Sequence, residues 1–309
     1  MADSGQKPIV GVIGLGSMGL GVAQSLRRAG FTTFGCDRRP EQLAALTAAG
    51  GRAAASPAEL GAACDVVIVL VVNAAQTLEV VLGEAGCAQG MRPGGVVISS
   101  STVAPTFAEE LGERLAALRL RMLDAPVSGG MRRAAEGQLT IMASGAPQTF
   151  EAVEPVLSAI AQKVYRLGDR PGQGSKIKMV NQLLAGVHIA AAAEAMALGM
   201  RAGVDPEVLY EVISNSAGSS WMFQNRVPHI LAGDYAPLSA VNIFVKDLGI
   251  VLESARDMTF PLPLTAAAHQ QFLAASAAGH GAEDDSAVIK VFDALTPIEL
   301  PKKQDQTPR

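Results

Sequence analysis

The chain is 309 residues long, enough for two domains, and its 49% hydrophobic content against 4% aromatic and 17% charged suits small apolar side chains packed between helices and a sheet. A formal net charge of −4 provides no basic footprint and argues against a nucleic-acid partner. Cys36, Cys64 and Cys87 show neither metal-ligand spacing nor an even-numbered disulfide framework, residues 1–7 hold no apolar leader, and the apolar run 66–72 is too short to cross a bilayer; a cytoplasmic protein with no metal and no membrane partner is expected.

Residues 9–13 read as a β-branched strand that ends in Gly14-Leu15-Gly16-Ser17-Met18-Gly19 and is followed by a helical pattern to about residue 29. In a strand, glycine turn and helix of this kind, Gly14 allows the tight turn, Gly16 lets the backbone approach a pyrophosphate and Gly19 permits close packing of helix on strand. The helix N-terminus favours the phosphate charge. A second strand, 32–36, ends at Asp37, 18 residues past Gly19. A carboxylate there accepts hydrogen bonds from ribose hydroxyls and repels a 2′-phosphate, so the expected cofactor is NAD rather than NADP. Arg38 and Arg39 follow at once; a guanidinium in this place can stack on adenine, pair with a phosphate or stand in solvent.

Strand-like runs continue at 65–72, 95–99, 121–124, 139–142 and 164–167, alternating with helical stretches, which predicts a doubly wound, mostly parallel Rossmann-type sheet. Ligands in open α/β sheets bind at the C-terminal strand ends. Asn73 stands at one such end, and Ser99-Ser100-Ser101-Thr102 with Pro105 at another; these short polar residues are either cofactor contacts or helix caps. Further on, Ser128-Gly129-Gly130 can turn successive backbone amides and a hydroxyl toward a carboxylate, or serve as a plain glycine turn.

Past residue 171 the strand pattern stops, and helices are expected over 174–202, 205–214, 238–256, 262–277 and 284–295. The organisation is therefore a dinucleotide-binding domain at 1–171, an all-helical substrate and oligomerisation domain at 172–300 with the active site between the two, and a polar, disordered tail at 301–309. The first helix opens Gly172-Gln173-Gly174-Ser175-Lys176-Ile177-Lys178-Met179-Val180-Asn181-Gln182. At about 100° per residue, Lys178, Asn181 and Gln182 share a face while Lys176 points nearly opposite. His188 lies two turns on among alanines and reads as core; His229, His269 and His280 match no zinc spacing. Trp221 either caps a substrate pocket or fills an interhelical contact.

Taken together, Gly14-Leu15-Gly16-Ser17-Met18-Gly19, Ser101-Thr102 with Pro105, Asp124-Ala125-Pro126-Val127-Ser128-Gly129-Gly130 and Gly172-x-Gly174-x-x-x-Lys178-x-x-Asn181 resemble the β-hydroxyacid dehydrogenase family, over residues 8–295. That family includes 3-hydroxyisobutyrate dehydrogenase, tartronate semialdehyde reductase and the N-terminal half of 6-phosphogluconate dehydrogenase. The stretches Asn181-Gln182-Leu183-Leu184, Ser219-Ser220-Trp221-Met222 and Ile243-Phe244-Val245-Lys246-Asp247 look like its four-carbon sugar-acid branch. The resemblance implies oxidation of a small hydroxy acid such as L-threonate, with a 3-hydroxyisobutyrate or tartronate semialdehyde activity as the alternative, in a homo-oligomer, dimer or tetramer. It makes Lys178 the general acid/base, its amine held partly neutral by burial and the helix N-terminus. Ser128, Gly129, Gly130 and Asn181 become the substrate contacts, and Gly14 to Gly19, Asp37, Arg38, Asn73, Thr102 and Lys246 the cofactor contacts. One departure is Gln182, where many members carry a second asparagine.

Overall fold

The computed structural model describes residues 7–303. Its first part runs β1 (Val10–Ile13), α1 (Gly19–Arg28), β2 (Thr33–Cys36), α2 (Pro40–Ala48), β3 (Arg52–Ala53), α3 (Pro57–Ala63), β4 (Val66–Val69), α4 (Ala74–Leu82), α5 (Cys87–Gly90), β5 (Val96–Ser99), α6 (Pro105–Ala117), β6 (Arg121–Asp124), β7 (Val127–Ser128), α7 (Gly130–Glu136), β8 (Leu139–Ala143), α8 (Pro147–Ile160) and β9 (Ala161–Arg166). Strands β1 to β6 form one parallel sheet in the order β3-β2-β1-β4-β5-β6. Val10 of β1 pairs with Thr33 on one side and Val66 on the other, so the strand order reverses at β1, where an open α/β sheet binds its ligand.

Alternate residues of these strands serve two cores, as a pleated strand covered on both faces requires. Val10, Val12, Val66, Ile68, Val96 and Ile98 are buried with Val22 and Leu26 of α1 and Phe150 and Val153 of α8. Ile13, Val67, Val69 and Val97 are buried on the other face with Leu60 of α3, Val81 of α4 and Leu111 and Leu115 of α6. This is the doubly wound architecture the sequence predicts.

The runs at 139–142 and 164–167 do not join that sheet. They become β8 and β9 and form a three-stranded sheet with β7, which pairs antiparallel to β8 while β8 and β9 are parallel. Pro126 separates β6 from β7 and has no N–H to continue a ladder, so the chain turns there. A single bridge between Asp124 and Ser144 links the two sheets. The two-residue edge strand β3, Arg52-Ala53, carries no apolar alternation for a sequence pattern to detect.

The second part runs α9 (Gln173–Arg201), α10 (Pro206–Ser214), α11 (Trp221–Ala232), α12 (Val241–Asp257), α13 (Pro263–Ala275) and α14 (Lys290–Leu295), with one turn of π-helix at Ser276–His280 and a 3-10 turn at Asp285–Ile289. Helix α11 is absent from the elements expected on sequence, because Asn225, Arg226, Pro228 and His229 interrupt its period. Its signals were nonetheless present: Ser220 caps it, accepting the Phe223 N–H at 3.0 Å, and Phe223, Val227 and Ile230 form a buried stripe.

The chain divides into two compact units between Met179 and Val180, inside α9 and past the residue 171 where the strand pattern stops. The first turn of α9 belongs with the sheets: a Cβ on Gly174 would lie 2.3 Å from the Met142 carbonyl oxygen, so only glycine permits that approach. Among the described residues α9 is also the one helix long and apolar enough to cross a bilayer, which a buried core helix is as well. Ile189, Ala193 and Met196 of α9 are buried with Phe223, Val227, Leu248 and the stacked pair Phe244–Phe272, whose ring centres are 5.2 Å apart. Of the tail expected at 301–309, residues 301–303 lie against Gly233, and Lys303 pairs with Asp234 at 3.1 Å; residues 304–309 fall outside the described residues.

Candidate active site

The glycine turn after β1 is shaped by backbone needs. Gly14 has φ +87°, and a Cβ there would lie 2.7 Å from the Leu70 carbonyl oxygen; a Cβ on Gly19 would lie 1.8 Å from the Gly14 carbonyl oxygen. Both positions require glycine, one for the turn and one for the packing of α1 on β1. A Cβ on Gly16, by contrast, would meet only the Arg39 guanidinium, 3.5 Å away. Helix α1 has no side-chain cap and no acid in its first turn. Open space beside backbone amides at an uncapped helix start is what a pyrophosphate needs, so these residues fit a nicotinamide dinucleotide. The Leu15 side chain is fully buried and Met18 packs against the same core, while Ser17 is exposed.

Asp37, at the tip of β2, is occupied on both oxygens. Oδ2 accepts the Leu15 N–H at 2.7 Å and Arg39 Nη2 at 3.2 Å; Oδ1 accepts the Arg39 N–H at 2.9 Å and Arg39 Nε at 3.0 Å. Burial works to raise the Asp37 carboxyl, but these donors and the Arg39 charge outweigh it and hold the group below the usual carboxylate range. A carboxylate offers about four acceptor positions, so the ribose sites of Asp37 are filled by Arg39. Arg38, the neighbour expected to matter, is exposed.

At the other strand tips, Asn73 is the cap of α4: its side chain accepts the Gln76 N–H at 2.9 Å. Helix α6 starts instead at Pro105 after Ala104, with no side-chain cap, so neither Ser101 nor Thr102 caps it. The Ser101 hydroxyl is buried with no protein partner. Beyond β7, Gly129 and Gly130 have φ +136° and +74°, a left-handed pair that only glycine adopts readily, and they lead Ser128 into the start of α7.

Helix α9 is pinned at its start by Asp124 of β6. Asp124 Oδ2 accepts the N–H groups of Gly172 and Ser175 at 2.9 Å each, Oδ1 accepts the Ser175 hydroxyl at 2.7 Å, and the Ser144 hydroxyl donates to Oδ2 at 3.3 Å. Burial nevertheless raises the Asp124 carboxyl above its ordinary value, against the pull of those donors. One turn on, Lys178 is 8% exposed, whereas Lys176 faces solvent and pairs with Glu109 at 2.9 Å. In the second unit, Asn181 Nδ2 donates to Gln182 Oε1 at 2.9 Å, Gln182 Nε2 donates to Asp247 Oδ2 at 2.5 Å, and Lys246 Nζ donates to Asp247 Oδ1. In the sequence Asp124 and Asp247 stand out only as members of motifs, and Gln182 only as a departure from the family's second asparagine.

The remaining candidates separate from these. His188 is half-buried on α9; the rings of His229 and His269 meet the backbone oxygens of Asp234 and Val245, and His280 meets Glu283. No cluster of potential metal ligands occurs among the described residues. Trp221 is 61% exposed, which rules out an interhelical filling role within the chain. Burial pushes the Cys64 and Cys87 thiols up to about 12, which disfavours the reactive thiolate at neutral pH.

The chain is similar to known proteins over nearly its whole length. Residues 9–168 match the family described as the NAD binding domain of 6-phosphogluconate dehydrogenase, and residues 172–292 match that described as NAD-binding of NADP-dependent 3-hydroxyisobutyrate dehydrogenase. L-Threonate dehydrogenase of Cupriavidus necator is 65% identical over 96% of this chain and 99% of its own length. The Escherichia coli K12 protein of the same name is 53% identical over 93% and 95%. The crystal structure of a Salmonella typhimurium protein named 3-hydroxyisobutyrate dehydrogenase superposes with a TM-score of 0.88 at 53% identity, covering 92% of this chain and all of that one.

Proposed function

This chain belongs to the β-hydroxyacid dehydrogenase family, and we propose that its reaction is the NAD-dependent oxidation of L-threonate to the corresponding 2-oxo acid. It is a hydroxyacid dehydrogenase that uses a nicotinamide dinucleotide. The substrate reading rests on relatives 51–65% identical that carry the name L-threonate dehydrogenase. NAD rather than NADP rests on Asp37, whose ionised carboxylate opposes a 2′-phosphate.

The observation that carries the chemistry is the burial of Lys178 one turn before Asn181, on a helix whose first turn Asp124 fixes. Ser128 and the amides of Gly129 and Gly130 hold the substrate carboxylate. Lys178, as a neutral amine, accepts the proton of the C2 hydroxyl, and as an ammonium returns it in the reductive direction. A bound nicotinamide ring would supply the hydride acceptor; as the C2–H electron pair leaves for it, Lys178 takes the O–H proton and the C=O bond of the 2-oxo acid forms. Asn181 orients the substrate hydroxyl; Asp37 would hold the cofactor's ribose once Arg39 gives way, and Thr102 and Lys246 would contact the cofactor.

A homo-oligomer, dimer or tetramer, is proposed for the second unit's exposed apolar side chains, Val180, Leu184 and Leu198 on α9 and Val208 and Val212 on α10. The chain's three free cysteines, Cys36, Cys64 and Cys87, suit the cytoplasm, where thiols stay reduced. A second reading, 3-hydroxyisobutyrate dehydrogenase, is favoured by the name that the similar Salmonella protein carries. NADH formation across a panel of three- to six-carbon hydroxy acids decides between them: a kcat/KM greatest for L-threonate supports the first reading, one greatest for 3-hydroxyisobutyrate the second, and no turnover with any hydroxy acid contradicts both.

A further inference from the structure

Gln182 is 8% exposed and its amide is gripped at both ends, by Asp247 on the nitrogen side and by Asn181 on the oxygen side. Carboxamide oxygen and nitrogen are nearly the same size, so an amide in such a place is oriented only by what its neighbours can donate or accept. Asp247 removes the ambiguity. An ionised carboxylate accepts and cannot donate, and Asp247 is 2% exposed with Lys246 at its other oxygen as the countercharge.

The polarity then propagates by elimination. Gln182 must turn its NH2 to Asp247 Oδ2, which leaves Oε1 facing Asn181. Asn181 must answer with its own NH2, which leaves Asn181 Oδ1 as the end not used within the chain of bonds. Reversing either amide would set two donors or two acceptors against each other in a buried place, the costly arrangement.

We propose that Gln182 is a positioning residue that, through Asp247 and Lys246, fixes the amide of Asn181 so that its carbonyl oxygen meets the substrate and selects a hydroxyl donor. The proposal rests on the reading of Asn181 as a substrate contact. It gives Gln182 a polarity to transmit as well as a volume to fill, and that is what a test can separate.

Gln182→Glu sets a carboxylate against Asp247, so kcat/KM for L-threonate should fall by about tenfold or more, the scale of one buried polar contact. Adding Asp247→Asn restores the pattern: an asparagine at 247 donates its NH2 to the new carboxylate, which still accepts from Asn181. The double variant should therefore recover most of the loss. Gln182→Met, which keeps volume and removes polarity, should cost a similar factor in the native background and no more than about twofold beside Asn181→Ala, because its effect runs through Asn181. Binding of NADH, followed by its fluorescence, should change by less than about twofold in Gln182→Glu and in Gln182→Met, neither of which touches Lys246. A double variant no better than Gln182→Glu, or a Gln182→Met loss of equal size in both backgrounds, overturns the proposal while leaving Asn181 as a substrate contact. An Asn181→Ala variant with native kcat/KM overturns the underlying reading and the proposal with it.

Discussion

Replacing Asp124 with alanine removes the acceptor that holds the start of α9. Four donors lose their partner: the N–H groups of Gly172 and Ser175, and the hydroxyls of Ser175 and Ser144. The hydroxyls can rotate to other acceptors, but the two N–H groups are fixed by the turn, and each buried donor left unpaired costs about 1–3 kcal/mol, or about 2–6 kcal/mol for both. Part of this is offset, because burying the Asp124 carboxylate is itself unfavourable, as its raised pKa records. A net loss of about 2–4 kcal/mol is expected, a large share of a typical folding free energy of roughly 5–15 kcal/mol, yet one that leaves the chain folded. Urea unfolding followed by circular dichroism reads the stability, and amide hydrogen exchange at Gly172 and Ser175 should accelerate well beyond that in β1. Turnover should fall as well, since Lys178 sits one turn along the loosened helix, and a displacement of about 1 Å in a reacting group costs on the order of 100-fold. A variant within about 0.5 kcal/mol of the native protein, with unchanged exchange at those amides, would refute the claim that Asp124 anchors α9.

Other outcomes follow from the same contacts. Ser128→Ala should lower kcat/KM for L-threonate by roughly 10- to 150-fold, the worth of one charge-assisted hydrogen bond, while NADH affinity stays near native; equal losses in both would count against the carboxylate assignment. Arg39→Ala frees the ribose sites of Asp37, so NADH should bind up to about fivefold more tightly and NADPH less well, measured by fluorescence titration; weaker NADH binding would contradict this. Arg226→Met strands Asp285, whose carboxyl burial pushes up to about 6 against the Arg226 guanidinium forked onto it. A raised folded pKa means that Asp285 favours folding when protonated and that this contribution is lost as pH rises from about 4 through about 6. The variant should accordingly lose about 3–5 kcal/mol at pH 8 and distinctly less at pH 5, a difference that thermal unfolding at the two values would expose.

Much of this was legible in the sequence, for identifiable reasons. The glycine spacing from Gly14 to Gly19 answers the needs of the backbone and of a pyrophosphate, and the acid at Asp37 those of a ribose, and such demands leave their mark locally. Helix faces are equally local: the angle between Lys176 and Lys178 already separates a solvent-facing lysine from a buried one. The contacts that escaped join residues far apart in the chain. Asp124 and Ser175 are 51 residues apart and Gln182 and Asp247 are 65 apart, and no periodicity connects such pairs. The allocation of β8 and β9 to a second sheet was hidden similarly, since a strand pattern says what pairs but not with which neighbour. The resemblance points to Arg38 as the cofactor contact, yet the turn after β2 brings Arg39, not Arg38, back over Asp37, which no local pattern foretells.

The most direct test of the account is the turnover of Lys178→Met beside that of Lys176→Ala, with L-threonate and NAD at saturation. Positioned proton transfer contributes about 10²–10⁴-fold, so Lys178→Met should lose about that much in kcat while NADH still binds, and Lys176→Ala, which breaks only the exposed pair with Glu109, should stay within about twofold of native. Near-native turnover in Lys178→Met, or a larger loss in Lys176→Ala, would contradict the assignment of Lys178 as the acid/base and the mechanism built on it.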